Sequence, residues 1–187
     1  MERCGITTRR SGSSRTSFEA FGNRGNARAD KGDLDGALRD YIEAIRLNQD
    51  LTEAYYNRAI AHRTKGDLDG ALQDYSEAIR LKPDDASAFY NRGIARYARG
   101  DLDGALRDYT EAIRLKPDLA DAFDNRGKVR YKKGDMERAL QDFNEAIRLK
   151  ADLADAFYNR SLVRRAKGDL TGAQQDENEA RRLGHKG

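Results

Sequence analysis

A period of 34 residues runs through this chain five times, and it leaves little freedom in how the chain can fold. Ala20, Ala54, Ala88, Ala122 and Ala156 open stretches that superimpose without a gap. A fixed period of that length implies stacked units, none able to bury its apolar face alone. Each unit divides at a Gly-Asp pair: Gly32-Asp33, Gly66-Asp67, Gly100-Asp101, Gly134-Asp135 and Gly168-Asp169. Glycine after a helical stretch ends it, and aspartate before the next one caps it. The expected unit is helix A, a tight turn and helix B. Lys82-Pro83-Asp84 and Lys116-Pro117-Asp118 should end helix B, because proline cannot continue a helix, with the Asp capping the next. Gln49 and Ala151 stand in place of proline in the first and fourth units, where the break rests on alignment alone.

Within the period, aromatic and small residues fall at fixed places. Phe21, Tyr55, Phe89, Phe123 and Phe157 share one position, and Gly25, Ala59, Gly93, Gly127 and Ser161 follow four residues later. Ala37, Ala71, Ala105, Ala139 and Ala173 recur, as do Tyr41, Tyr75, Tyr109 and Phe143, then Ala44, Ala78, Ala112, Ala146 and Ala180. This pattern resembles the tetratricopeptide repeat family, at positions four, eight, twenty, twenty-four and twenty-seven. In that family's phase the repeats run 18–51, 52–85, 86–119, 120–153 and 154–187. The resemblance implies an all-α fold, an α-solenoid (a right-handed superhelix) of five helix-turn-helix units.

Two positions depart from the family. Position seven is Arg24, Arg58, Arg92, Arg126 and Arg160 where leucine is usual, and position eleven is Arg28, His62, Arg96, Arg130 and Arg164 where tyrosine is usual. Position twenty-three is always Asp: Asp40, Asp74, Asp108, Asp142 and Asp176. Either the arginine stems cover apolar surface and leave the charge in water, or an Arg–Asp pair links helix A to helix B in every repeat. Gly36, Gly70, Gly104 and Gly172 lie inside helix B at position nineteen, where alanine should stabilise.

The net charge of +3 comes from residues 1–17, expected to be a disordered basic tail rich in Ser, Thr, Gly and Arg. The repeats hold 31 basic and 31 acidic residues, interleaved as in Arg39/Glu43 and Arg107/Glu111. That interleaving argues against a nucleic-acid surface. Cys4 is the single cysteine, so there is no disulfide framework. No apolar stretch suits a signal or a membrane span, and a cytoplasmic location follows as the default. No nucleotide loop, nucleophile–base pair or metal-ligand spacing is present, so neither an enzyme nor a cofactor or metal is expected.

Positions twenty-one, twenty-four and twenty-eight are apolar in repeats one to four but Gln174, Glu177 and Arg181 in repeat five. Those residues read as the polar cap of a last unit, keeping the protein monomeric. The first helix A is unusual in another way. Gly22 stands where other repeats have Tyr or Asp, Ala29 where they have Arg or Tyr, and Asn26 replaces Ile or Leu, which suggests a weaker outer helix.

In this family the A helices line the concave side, and position six there is always asparagine: Asn23, Asn57, Asn91, Asn125 and Asn159. Asparagine offers a donor and an acceptor, as an extended peptide backbone requires. The array resembles the asparagine ladder of the O-GlcNAc transferase repeats. With A helices about 10 Å apart and an extended peptide rising about 3.3 Å per residue, one Asn meets roughly every third peptide residue. The alternative is that the asparagines tie neighbouring helices together. Tyr56, Tyr90 and Tyr158 at position five, Tyr97 and Tyr131 at position twelve, and Lys128 complete the candidate surface. The cationic residues of the carboxylate clamp found in heat-shock co-chaperones are absent. The expected function is a non-enzymatic module binding an extended peptide or a partner helix in this groove. A structural or assembly scaffold is the alternative, and nucleic-acid binding through the basic tail a third.

Overall fold

The computed structural model describes residues 12–185, with side-chain surroundings from Ser17 onward. All ten elements among them are helices, paired as five hairpins. The A helices are α1 (Gly12–Asp30), α3 (Thr52–Thr64), α5 (Ala86–Ala98), α7 (Ala120–Lys132) and α9 (Ala154–Ala166). The B helices are α2 (Leu34–Leu47), α4 (Leu68–Leu81), α6 (Leu102–Leu115), α8 (Met136–Leu149) and α10 (Leu170–Arg182). The chain forms an all-α solenoid in two compact units, residues 1–82 and 83–187. In each, helices pack on their sequence neighbours.

Local chemistry accounts for the boundaries. Gly32 and its equivalents have φ of 81–86°, a left-handed geometry that glycine adopts without steric cost. One residue later Asp33, Asp67, Asp101, Asp135 and Asp169 each accept a hydrogen bond from the third residue of helix B, as the sequence implies. Helix B also ends at Leu47 and Leu149, where proline is missing. The start of helix A differs from expectation. Leu51, Leu119 and Leu153 precede it with no side-chain cap, and the cap of α5 is Asp85 rather than Asp84. The turn after helix B uses the residue that follows proline within the turn itself, so helix A begins too late for that carboxylate to reach it.

The expected tail of 1–17 needs one correction. Helix α1 already begins at Gly12, because extending a helix backward from the packed Phe21 turn adds hydrogen bonds without a new nucleation cost. Residues 1–11, including Cys4, lie outside the described residues.

Core packing follows the repeat. Tyr41, Tyr109 and Phe143 are almost fully buried, each against an alanine at position twenty and a small residue of the next A helix: Ala61, Val129 and Val163. The glycine at position eight makes room for that ring. A Cβ on Gly93 would lie 2.7 Å from the Tyr109 ring.

Of the two readings of the arginines, the ion pair is the one observed. Arg92 donates Nε and Nη2 to the two oxygens of Asp108 at 3.0 and 2.8 Å, and Arg96 Nη1 approaches Asp108 at 2.8 Å. The same fork joins Arg24 to Asp40, Arg58 to Asp74, Arg126 to Asp142 and Arg160 to Asp176. Each Asp is buried. Arg28, Arg130 and Arg164 supply the second guanidinium, and His62 stands at 3.8 Å from Asp74. The position-seven guanidinium also covers the position-four ring, 5.1–5.5 Å from its centroid in all five repeats. The hydrogen bond from Arg24 holds the Asp40 carboxyl below the usual carboxylate range, against the opposing effect of burial. Charge pairing on helix B differs from the expected i,i+4 spacing. Glu43 and Glu111 pair with Arg46 and Arg114, three residues on, and not with Arg39 or Arg107.

Alanine at position nineteen is less favourable than the sequence implies. A Cβ on Gly36 or Gly104 would lie 2.0 Å from the capping carboxylate and 2.8–2.9 Å from the Cδ of Arg28 or Arg96. On Gly172 the three nearest atoms all belong to the Asp169 carboxylate, at 2.2–2.9 Å. Repeat four carries Arg138 there, and its cap bond lengthens to 3.2 Å. Gly36→Ala and Gly104→Ala are therefore expected to lower the melting temperature. The helix-propensity gain of about 1 kcal/mol is offset by a cap worth about 1 kcal/mol and by crowding of the arginine. Gly172→Ala should be neutral or stabilising. Thermal melts of the three single variants check the ordering, and equal gains at all three sites would contradict it.

Candidate binding face of the A helices

Positions five, six, nine and twelve share one largely half-buried face of each A helix, and the structure puts four of the five asparagines in hydrogen bonds. Asn57 Nδ2 donates to Asn26 Oδ1 at 2.9 Å, Asn125 Nδ2 to the Tyr90 hydroxyl at 3.0 Å, and Asn159 Nδ2 to Asp124 Oδ1 at 2.9 Å. In each case the acceptor lies on the preceding A helix. Asn91 Nδ2 donates to the Ser87 carbonyl of its own helix at 2.9 Å. Asn23 is exposed on α1. Three asparagines thus tie neighbouring A helices together. Among the described residues no protein donor reaches Oδ1 of Asn57 or Asn159.

Non-repeated residues take part in these links. Asn26 accepts from both the Tyr41 hydroxyl, at 2.8 Å, and Asn57. It joins α1 to α2 and α3, which corrects the reading of a weak outer helix. Asp124 is buried and meets Lys128 Nζ at 2.7 Å as well as Asn159. Lys128 also donates to Asn125 Oδ1 at 3.3 Å. A polar chain Tyr90–Asn125–Lys128–Asp124–Asn159 therefore spans α5, α7 and α9. Lys128 is half-buried and its charge is neutralised by Asp124.

The tyrosines are half-buried with ring faces engaged. Tyr56 meets Tyr75 edge-on with centroids 5.8 Å apart, and Tyr90 meets Tyr109 at 6.0 Å. Tyr97 lies under Lys132, whose Nζ is 5.3 Å from the ring centroid. Tyr131 packs beside the Phe143 cluster. Repeat five has Glu177 where the partner ring would be, and there His185 stacks on Tyr158 at 4.2 Å while its Nδ1 lies 2.9 Å from Asp155 Oδ1. Glu177 turns to Arg165 and Arg181. Neither the histidine stack nor the Asn26 junction was legible beforehand; the only sequence signal for the latter was the paired loss of Tyr and Ile at Gly22 and Asn26.

The tyrosines at position twenty-four diverge. Burial pushes the hydroxyls of Tyr41 and Tyr75 up to about 12. Tyr41 has Asn26 as acceptor, whereas repeat two has Ile60 in its place and, among the described residues, the buried Tyr75 hydroxyl makes no well-formed hydrogen bond, with the Arg63 guanidinium its nearby charge. Tyr75→Phe is expected to be neutral or to stabilise by up to about 1 kcal/mol. Tyr41→Phe should cost about 0.5–1.5 kcal/mol. Chemical denaturation of both variants checks the opposite signs.

Among the described residues no group of three or more His, Cys, Asp or Glu side chains could hold a metal ion, and no helix is long and apolar enough to cross a membrane.

Helix hairpins in a 34-residue period with these packing positions define a class of helical-repeat protein, and the family comparison agrees. The TPR repeat family matches over residues 25–65, 61–98, 95–134 and 127–168, and the chain belongs to that family. Several solved structures share the fold. A MamA fragment from Desulfovibrio magneticus RS-1 superimposes with a TM-score of 0.84 at 19% identity, covering 89% of this chain and 94% of that one. YrrB, described as a TPR protein with an unusual peptide-binding site, gives a TM-score of 0.76 at 22% identity over 88% of this chain and 84% of that one. PilF of Pseudomonas aeruginosa gives 0.82 at 18% identity, covering 94% and 80%. None of the curated proteins matches the chain.

Proposed function

TPR proteins mediate protein–protein interaction, and we propose that this chain is a non-enzymatic module that binds an extended peptide along its A helices. The observation that carries this reading is the state of the position-six asparagines. Asn57 and Asn159 use their amide N–H to hold neighbouring helices in register, which leaves their carbonyl oxygens fixed in direction and open to a peptide N–H. Half-buried tyrosines beside them offer contact area at little cost in entropy. The link between helices and the contact to peptide are then two uses of one side chain. YrrB, a TPR protein described as having an unusual peptide-binding site, supports such a use on this fold. A monomeric adaptor in the cytoplasm fits the same reading.

The test is a selection of 12-residue peptides from a randomised library, followed by resynthesis with N-methylated backbone amides. Main-chain recognition predicts that methylating alternate amides weakens binding at least tenfold with side chains unchanged. Equal binding of the methylated peptides would contradict it.

A further inference from the structure

Resting on the peptide-binding reading, we propose that the furrow between α1 and α3 is a subsite for a cationic side chain, arginine or lysine, of the bound peptide. Two adjoining depressions of about 320 and 510 Å³ make up this furrow, and they share Asn26, Tyr41 and Asn57. The first exists because of Gly22. Three other repeats carry a tyrosine at that position and repeat four a buried aspartate, whereas a Cβ on Gly22 would meet nothing within 4 Å. The hole is where those side chains would stand.

The lining has one sign of charge. Glu19 and Glu53 stand at one end and Asp30 at the other, and among the described residues no lysine or arginine lines either depression. Between them lie the amide groups of Asn23 and Asn57, the latter with its Nδ2 already given to Asn26. The corresponding place in repeat four is neutralised from within, because Lys128 lies on Asp124. The α1–α3 furrow has no such internal cation. Carboxylates and carbonyls without a donor of charge suit a group that donates several hydrogen bonds and accepts none, as guanidinium and ammonium do. Tyr41 and Asn26, locked to each other and to Asn57, give this wall a fixed shape.

The probe is the peptide acetyl-Gly-Arg-Gly-amide, titrated into the full chain by NMR while the side-chain amides of Asn23 and Asn57 are followed. The expected result is a shift of both amides, with affinity at least tenfold higher than for the same peptide carrying neutral citrulline. Gly22→Tyr, which restores the residue of three other repeats, should abolish the effect without lowering the melting temperature. The exposed pair Glu19→Gln/Glu53→Gln should abolish the charge preference in a fully folded protein. No shift at millimolar peptide, equal affinity for citrulline, or undiminished binding by Gly22→Tyr would overturn the proposal. Its failure is separable from that of the groove: library peptides that bind in a methylation-sensitive way but show no preference for Arg or Lys would leave main-chain recognition standing.

Discussion

Asp108→Ala is expected to destabilise the protein by about 3–5 kcal/mol, the range for removing one partner of a buried ion pair. Asp108 is 2% exposed and holds two guanidiniums, from Arg92 and Arg96, on one carboxylate. Without it, two part-buried guanidiniums on α5 lose the carboxylate of α6 that they share, and among the described residues only Asp101, 3.7 Å from Arg96 Nε, remains close as a counter-charge. The Phe89 ring under Arg92 cannot supply one. Replacing only Arg96 should cost less, because the forked pair with Arg92 remains and repeat two functions with His62 at the same place. Urea denaturation of Asp108→Ala and Arg96→His reads the difference. A cost below about 1 kcal/mol for Asp108→Ala would mean that the network behaves as a surface pair.

The triple variant Asn57→Ala/Asn125→Ala/Asn159→Ala is the second large effect. Each change removes an inter-helix hydrogen bond worth about 0.5–1.5 kcal/mol net, so the sum lies near 1.5–4.5 kcal/mol if the sites are independent. Asn159→Ala should be the most costly single change, since it takes a donor from the buried Asp124. Denaturation of the three single variants and the triple variant tests this order. Peptide binding must then be compared at a temperature where each variant is folded, because stability and binding are both expected to fall.

Most of the scaffold was readable because it repeats. A residue type at one position can be chance; Arg at seven and Asp at twenty-three recur in all five repeats, sixteen residues apart, which made a pair across the A–B hairpin one of two readings, and it is the one the structure shows. What could not be read was the exception. Asn26 read as a mark of a weaker outer helix because a polar residue had replaced Ile or Leu. Its partners Tyr41 and Asn57 lie 15 and 31 residues away, and only the stacking of α1 on α2 and α3 brings them together. Lys128 read only as part of the candidate surface, and Asp124 carried no signal, for the same reason. Their value lies in Asn159, 35 residues on. Gly36 and Gly104 misled in another way: propensity describes the helix alone, whereas the capping carboxylate and the arginine stem occupy the space above them.

The central claim is that the A-helix face receives an extended peptide, and a map of the bound peptide on the protein tests it most directly. Isotope-labelled protein titrated with a library-selected peptide should show its largest amide shifts on A helices, with Asn57 and Asn159 side-chain amides among them. Shifts confined to the B helices α2, α4, α6, α8 and α10, with the asparagine amides unmoved, would contradict the account and favour a scaffold that packs through its other face.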